Sequence, residues 1–116
     1  MDKFPLDETH VDEVLQLAVN DQAREVYFES GEPPFMRFPG SYSLKPINRY
    51  QALRREVVQR LVYDILSNDN ITSLENNGSL FLGYSTADGQ SKFNVHLTHD
   101  TDVVSAVFHH VTRIAT

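Results

Sequence analysis

The chain has 116 residues, with 10 Lys+Arg against 16 Asp+Glu, 5 His, no Cys and a net charge of -6. That length suits one domain. The acidic balance argues against nucleic acid or an anionic membrane as the main partner, and the lack of cysteine excludes a disulfide scaffold, a thiol nucleophile, an iron–sulfur cluster and a Cys-based zinc site. Met1-Asp2-Lys3-Phe4-Pro5 carries no apolar run behind a basic head, and no stretch approaches the ~20 apolar residues of a membrane span, so a cytoplasmic location is expected.

Residues 1–8 read as a flexible arm and residues 9–113 as a single domain. Val11, Val14, Leu15 and Ala18 recur at helical spacing, Thr9 can cap, and Asp12 stands three residues later, which predicts a helix over about 9–20. Arg24 to Glu29 reads as a strand, Ser30-Gly31-Glu32-Pro33-Pro34 as a loop, and Phe35 to Phe38 as a second strand stopped by Pro39-Gly40. Residues 41–50 are mostly polar and read as a connection. Leu53, Val57, Val58, Leu61, Val62, Ile65 and Leu66 then form one apolar helical stripe. Asn68-Asp69-Asn70 reads as its break, with a short helical turn ending at Asn77-Gly78. Three strands close the chain, at about 79–86, 91–98 and 103–111, the first two joined through Asp88-Gly89, a strong hairpin signal. The order implies an α+β fold: an antiparallel sheet made of a hairpin and a three-stranded meander, with two main helices on one face.

Chemistry-bearing motifs are few. Gly78 to Ser85 has the glycine spacing of a phosphate loop, but Tyr84 stands where the lysine must be, Leu80-Phe81-Leu82 reads as strand, and no helix follows. His96, His99, His109 and His110 cluster in the last two strands. A zinc site needs three or four converging ligands. His96 has the opposite parity to Phe93, Val95 and Leu97, and adjacent His109 and His110 point to opposite faces, so no metal or other cofactor is expected. The acidic residues Asp2, Asp7, Glu8, Asp12 and Glu13 read as helix-start and solubility residues. Arg49, Arg54, Arg55 and Arg60 read as a solvated helix flank. There is no G-x-S-x-G elbow for a serine nucleophile. No catalytic residue is expected.

One ordered series of residues is more specific. Leu15-x-x-Ala18, the run Ala23 to Gly40 with its Gly31-Glu32-Pro33-Pro34 hairpin, the helix Val57 to Leu66, Leu74-Glu75-x-x-Gly78, Phe81-Leu82-Gly83-Tyr84-Ser85, Ser91-Lys92-Phe93-Asn94-Val95-His96-Leu97 and Ala106-Val107-Phe108-His109-His110-Val111 follow in order over residues 12–111. The series resembles the amino-terminal domain of PilT-type ATPases, the retraction motors of type IV pili and twitching motility, within the secretion-ATPase family that includes the type II GspE proteins. The resemblance implies a PAS-like sheet with helices packed on it. In the family a RecA-like motor domain follows, whose Walker A, acidic and histidine boxes are not among these 116 residues. The family also carries arginines in the late strands that approach nucleotide bound on the motor domain. Lys92, Asn94, His109 and His110 stand at those positions here.

The expectation is therefore a non-catalytic interaction domain that docks to a RecA-like ATPase domain, in cis or in trans, or to copies of itself. Glu32, Pro33 and Pro34 at the hairpin tip, with Lys92, Asn94, His96, His109 and His110 along an edge formed by the late strands, are its expected interface. The alternative is a PAS-like sensor holding a small molecule among Tyr27, Phe28, Phe81, Tyr84, Phe93 and Phe108.

Overall fold

Side-chain alternation decides which side of each strand is buried, and here it sorts one sheet into an apolar and a mixed face. A computed structural model describes residues 9–47, 49–101 and 103–111. The elements run α1 (Val11–Asn20), β1 (Glu25–Phe28), β2 (Phe35–Arg37), β3 (Lys45–Pro46), α2 (Arg55–Tyr63), α3 (Asn68–Asn77), β4 (Ser79–Ser85), β5 (Lys92–Asp100) and β6 (Val103–His110). All six strands join one antiparallel sheet in the order β3-β2-β1-β6-β5-β4. The fold is α+β, as expected.

One face buries Val26 and Phe28 of β1, Phe93, Val95 and Leu97 of β5, and Val104, Ala106 and Phe108 of β6. Against them lie Val11, Val14, Leu15 and Ala18 of α1, Val57, Val58, Leu61 and Val62 of α2, and Leu74 of α3. Phe108 is the hub: its ring meets Phe28 at 5.5 Å, Phe93 at 6.0 Å and Tyr84 at 6.2 Å, all edge-on. That arrangement suits the ring quadrupole better than face-to-face stacking.

The helix ends explain where the sequence expectations shift. α1 is capped by His10, not Thr9: His10 Nδ1 accepts from Asp12 N–H at 3.1 Å. Asp12 is more than a helix-start charge, because its carboxylate accepts from the Tyr84 hydroxyl and from Ala87 N–H at 2.9 Å, tying α1 to the β4–β5 hairpin. Burial and the Asp12 hydrogen bond hold the Tyr84 phenol far above the usual tyrosine range. The expected break at Asn68-Asp69-Asn70 is instead the first turn of a full third helix. Ser67 caps it through Oγ, which accepts from Asn70 N–H at 3.1 Å, and Gly78 ends it at φ +80. Tyr63 Oη donates to Glu75 at 2.9 Å and links α2 to α3. Residues 41–50 are not a plain connection either, since Lys45–Pro46 add a short strand to β2.

The late strands do not form an edge. β6 lies between β1 and β5, and β5 between β6 and β4, so among the described residues the sheet ends at β3 and at β4. The pairing of β1 with β6 puts the first strand of the chain beside the last. No described helix is long and apolar enough to cross a membrane.

Candidate docking face

All three helices bury their apolar stripes against one side of the sheet, which leaves the opposite side without a described helix over it. The registers arrange that side as two rows. The first is apolar and aromatic: Phe35, Tyr27, Val107, His96 and Phe81, each opposite the next on β2, β1, β6, β5 and β4. The second is polar: Arg37, Glu25, His109, Asn94 and Gly83 in the same strand order.

The polar row centres on Glu25, only 5% exposed although it lies on the side away from the helices. The Arg37 guanidinium donates to its Oε1, the Tyr27 hydroxyl donates to the same oxygen at 3.0 Å, and His109 Nδ1 lies 2.6 Å from Oε2. Burial alone would raise the carboxyl, but the hydrogen bonds from Arg37 and Tyr27 and the attraction of His109 and Arg37 outweigh it, holding Glu25 below the usual glutamate range. Tyr27 is pushed up by burial and by Glu25. Arg37 also donates to Ser41 O at 3.0 Å, which fixes the fork against the loop after β2. None of these three partners was legible as a cluster in the sequence, because Arg37 is 12 residues from Glu25 and His109 reaches it only through the β1–β6 pairing.

In the apolar row, Phe81 is 73% exposed and stacks flat on His96, with ring centroids 4.0 Å apart and planes 2° from parallel. Phe81, Asn94, His96 and His109 line a shallow groove of about 450 Å³. The expected interface residues thus separate. Lys92, Asn94, His96 and His109 share this open face. His110 faces the helix side, where it tilts against Phe93 at 5.2 Å. At the hairpin tip Glu32 is exposed and Pro33 half-buried, but Pro34 is buried, and backbone bonds from Gly31 N–H to Leu53 O (2.7 Å) and from Leu53 N–H to Glu32 O (2.9 Å) pin the tip to the α2 approach. The six aromatics of the sensor alternative also divide: Phe28, Tyr84, Phe93 and Phe108 lie on the helix face, Tyr27 and Phe81 on the open one. They cannot line one cavity. Gly78 and Gly83 end a helix and sit in a strand, so the phosphate-loop spacing has no loop to serve.

No family model matches the chain, and no curated protein matches it in sequence. Solved structures do match. The pilus retraction motor PilT, crystallised with ADP, superposes with a TM-score of 0.81 at 22% identity, covering 94% of this chain and 31% of that one. Its fold is that of the amino-terminal domain of PilT-like ATPases. The ATPase DotB of Legionella pneumophila superposes at 0.72 with 18% identity over 96% of this chain and 32% of that one. DotB of Yersinia pseudotuberculosis gives 0.64 with 16% identity over 95% and 32%. The chain therefore spans about a third of the length of these proteins. Against the PilT-like fold, Lys92, Asn94 and His109, at positions where the resemblance led to arginines, all fall on the open face.

Proposed function

We propose that this chain is a non-catalytic interaction domain that docks to a RecA-like ATPase domain, as part of a type IV pilus or secretion motor. The observation that carries the reading is the open face. A domain that needed this sheet only for its core would gain by covering it, yet an exposed Phe81 and a partly exposed His96 and Val107 lie in one row across it. Beside them the Arg37–Glu25–His109 cluster holds its side chains in fixed positions, which reduces the entropy lost when a partner binds. The matched solved structures are ATPases of which this fold forms about a third, and that supports an ATPase domain as the partner.

Binding of the purified RecA-like domain of a PilT-type ATPase to the immobilised chain is the test. Replacing His96 and His109 together by Ala is expected to weaken binding ~10-fold or more, as for residues at the centre of an interface. His110→Ala, on the other face, is expected to leave it unchanged. Equal affinities for wild type and the double variant overturn the reading. On the same reading the chain alone gives a flat calorimetric titration with millimolar magnesium–ATP, and saturable binding there contradicts it.

A further inference from the structure

The two ends of the sheet differ in kind. β3 is two residues long and contains Lys45 and Pro46, both devices that discourage another strand from adding on. β4 has neither. Its seven residues, Ser79-Leu80-Phe81-Leu82-Gly83-Tyr84-Ser85, include no charge and no proline, and among the described strands it is the terminal one.

The hydrogen-bond pattern shows what that edge offers. His99 N–H donates to Gly78 O at 2.9 Å and Thr86 N–H to Ser91 O at 3.0 Å, bracketing the β4–β5 ladder. Antiparallel pairs alternate between bonded and non-bonded positions. The even-numbered residues of β4 therefore bond to β5, and the N–H and C=O groups of Ser79, Phe81, Gly83 and Ser85 point outward. We propose that this edge pairs antiparallel with β4 of a second copy, about a two-fold axis through Leu82, joining the two sheets into one.

The sequence is self-complementary in that register. Leu82 falls opposite Leu82 of the second copy, Phe81 opposite Gly83, Leu80 opposite Tyr84, and Ser79 opposite Ser85. Every outward-pointing residue meets another outward-pointing residue, so all four on each strand contribute both bonds. Shifting the register by two residues leaves a bonding pair at the strand end without a partner. The 73% exposed Phe81 of each copy lies beside the bare backbone of the other's Gly83, above which a Cβ would meet nothing within 4 Å. A ring set across from a strand glycine is a known way of covering it. On the helix side, half-buried Leu80, Leu82 and Tyr84 gain apolar neighbours. Nothing charged opposes its own copy across the axis, the usual obstacle to an isologous contact. This inference does not rest on the docking of an ATPase domain.

The chain has no cysteine, so any disulfide in a single-cysteine variant joins two copies. Leu82→Cys is expected to cross-link on mild oxidation, since non-bonded antiparallel partners stand about 4.5 Å apart at Cα. Leu80→Cys is expected not to, because its counterpart lies four residues, roughly 13 Å, along the opposing strand, beyond disulfide reach. Sedimentation of the wild type at high micromolar concentration is expected to show a dimer. Gly83→Glu, whose side chain enters open space in one copy but opposes Phe81 of the second and lies diagonal to its own counterpart there, is expected to be monomeric with an unchanged circular dichroism spectrum. A monomeric wild type, or a Gly83→Glu dimer, overturns the proposal, and so does Leu80→Cys cross-linking as readily as Leu82→Cys. Loss of ATPase-domain binding with the dimer intact condemns only the docking face, and the reverse condemns only the edge.

Discussion

Glu25 is a carboxylate placed on the solvent side of a strand, yet its neighbours cover all but 5% of it. It is retained there as an ion because Arg37 and Tyr27 donate to it and His109 Nδ1 lies beside its other oxygen. Its folded-state carboxyl lies below the ordinary glutamate range, so the sign of the linkage is that of a depressed acid. Its contribution is fully present above the unfolded value of about 4.3 and is lost as pH falls through the folded value. Glu25→Gln is therefore expected to flatten the decline of stability below about pH 4, measured by urea unfolding at a series of pH values. Arg37→Ala leaves the buried carboxylate without its charge-assisted donor and is expected to lower stability at neutral pH in the same urea series. If the acid limb of Glu25→Gln superposes on that of wild type, the cluster is not the source of the shift.

At the scale of elements, local signals were legible and distant pairings were not. The period-two alternation of Phe93, Val95 and Leu97 correctly separated His96 from the core, and the adjacency of His109 and His110 correctly sent them to opposite faces. The loop at Asp88-Gly89 forms as its dipeptide predicts, with Gly89 at φ +74 and Asp88 Oδ1 accepting from Gln90 N–H at 2.9 Å. β3 was hidden because Pro46 lacks an N–H and demotes a strand reading. α3 was shortened because Asn68, Asp69 and Asn70 compete with helix in the interior yet are well placed in a first turn behind a serine cap. The order of strands lay beyond local reading, since pairing β1 with β6 depends on contacts some 80 residues apart, and so did the Glu25 cluster built on it. The exit of α3 gives a test at this scale. Gly78 caps it at φ +80, where a Cβ would meet only His99 O at an ordinary 3.6 Å, so the penalty for a side chain is conformational and not steric. Gly78→Ala is expected to lower stability by ~1–2 kcal/mol, the cost of a left-handed L-residue, with the denaturant slope unchanged.

Across the whole molecule the sheet divides labour between its faces, and the division makes a quantitative expectation. Phe108, fully buried between Phe28, Phe93 and Tyr84, carries contacts from β1, β4 and β5 at once. Truncating it removes the centre of the single core to which all three helices attach. Phe108→Ala is expected to cost ~3–5 kcal/mol, the range for a buried phenylalanine with a partly unrelaxed cavity. That is a large share of the ~5–15 kcal/mol total of a domain, so this variant is expected at the limit of folding at 37 °C. Phe108→Leu, which keeps most of the volume, gives a measurable intermediate value. Asn94 and Lys92, both on the neighbouring strand β5 but on the other face, are exposed. Lys92→Ala and Asn94→Ala are expected to fall within ~0.5 kcal/mol of wild type, as surface substitutions do. Thermal and urea unfolding of the three sets decide the matter. If the open-face substitutions cost as much as Phe108→Leu, that face is structural and its exposed side chains are committed to this fold. If they are silent in stability while Phe108→Leu is not, the open face is free to be shaped by what it binds.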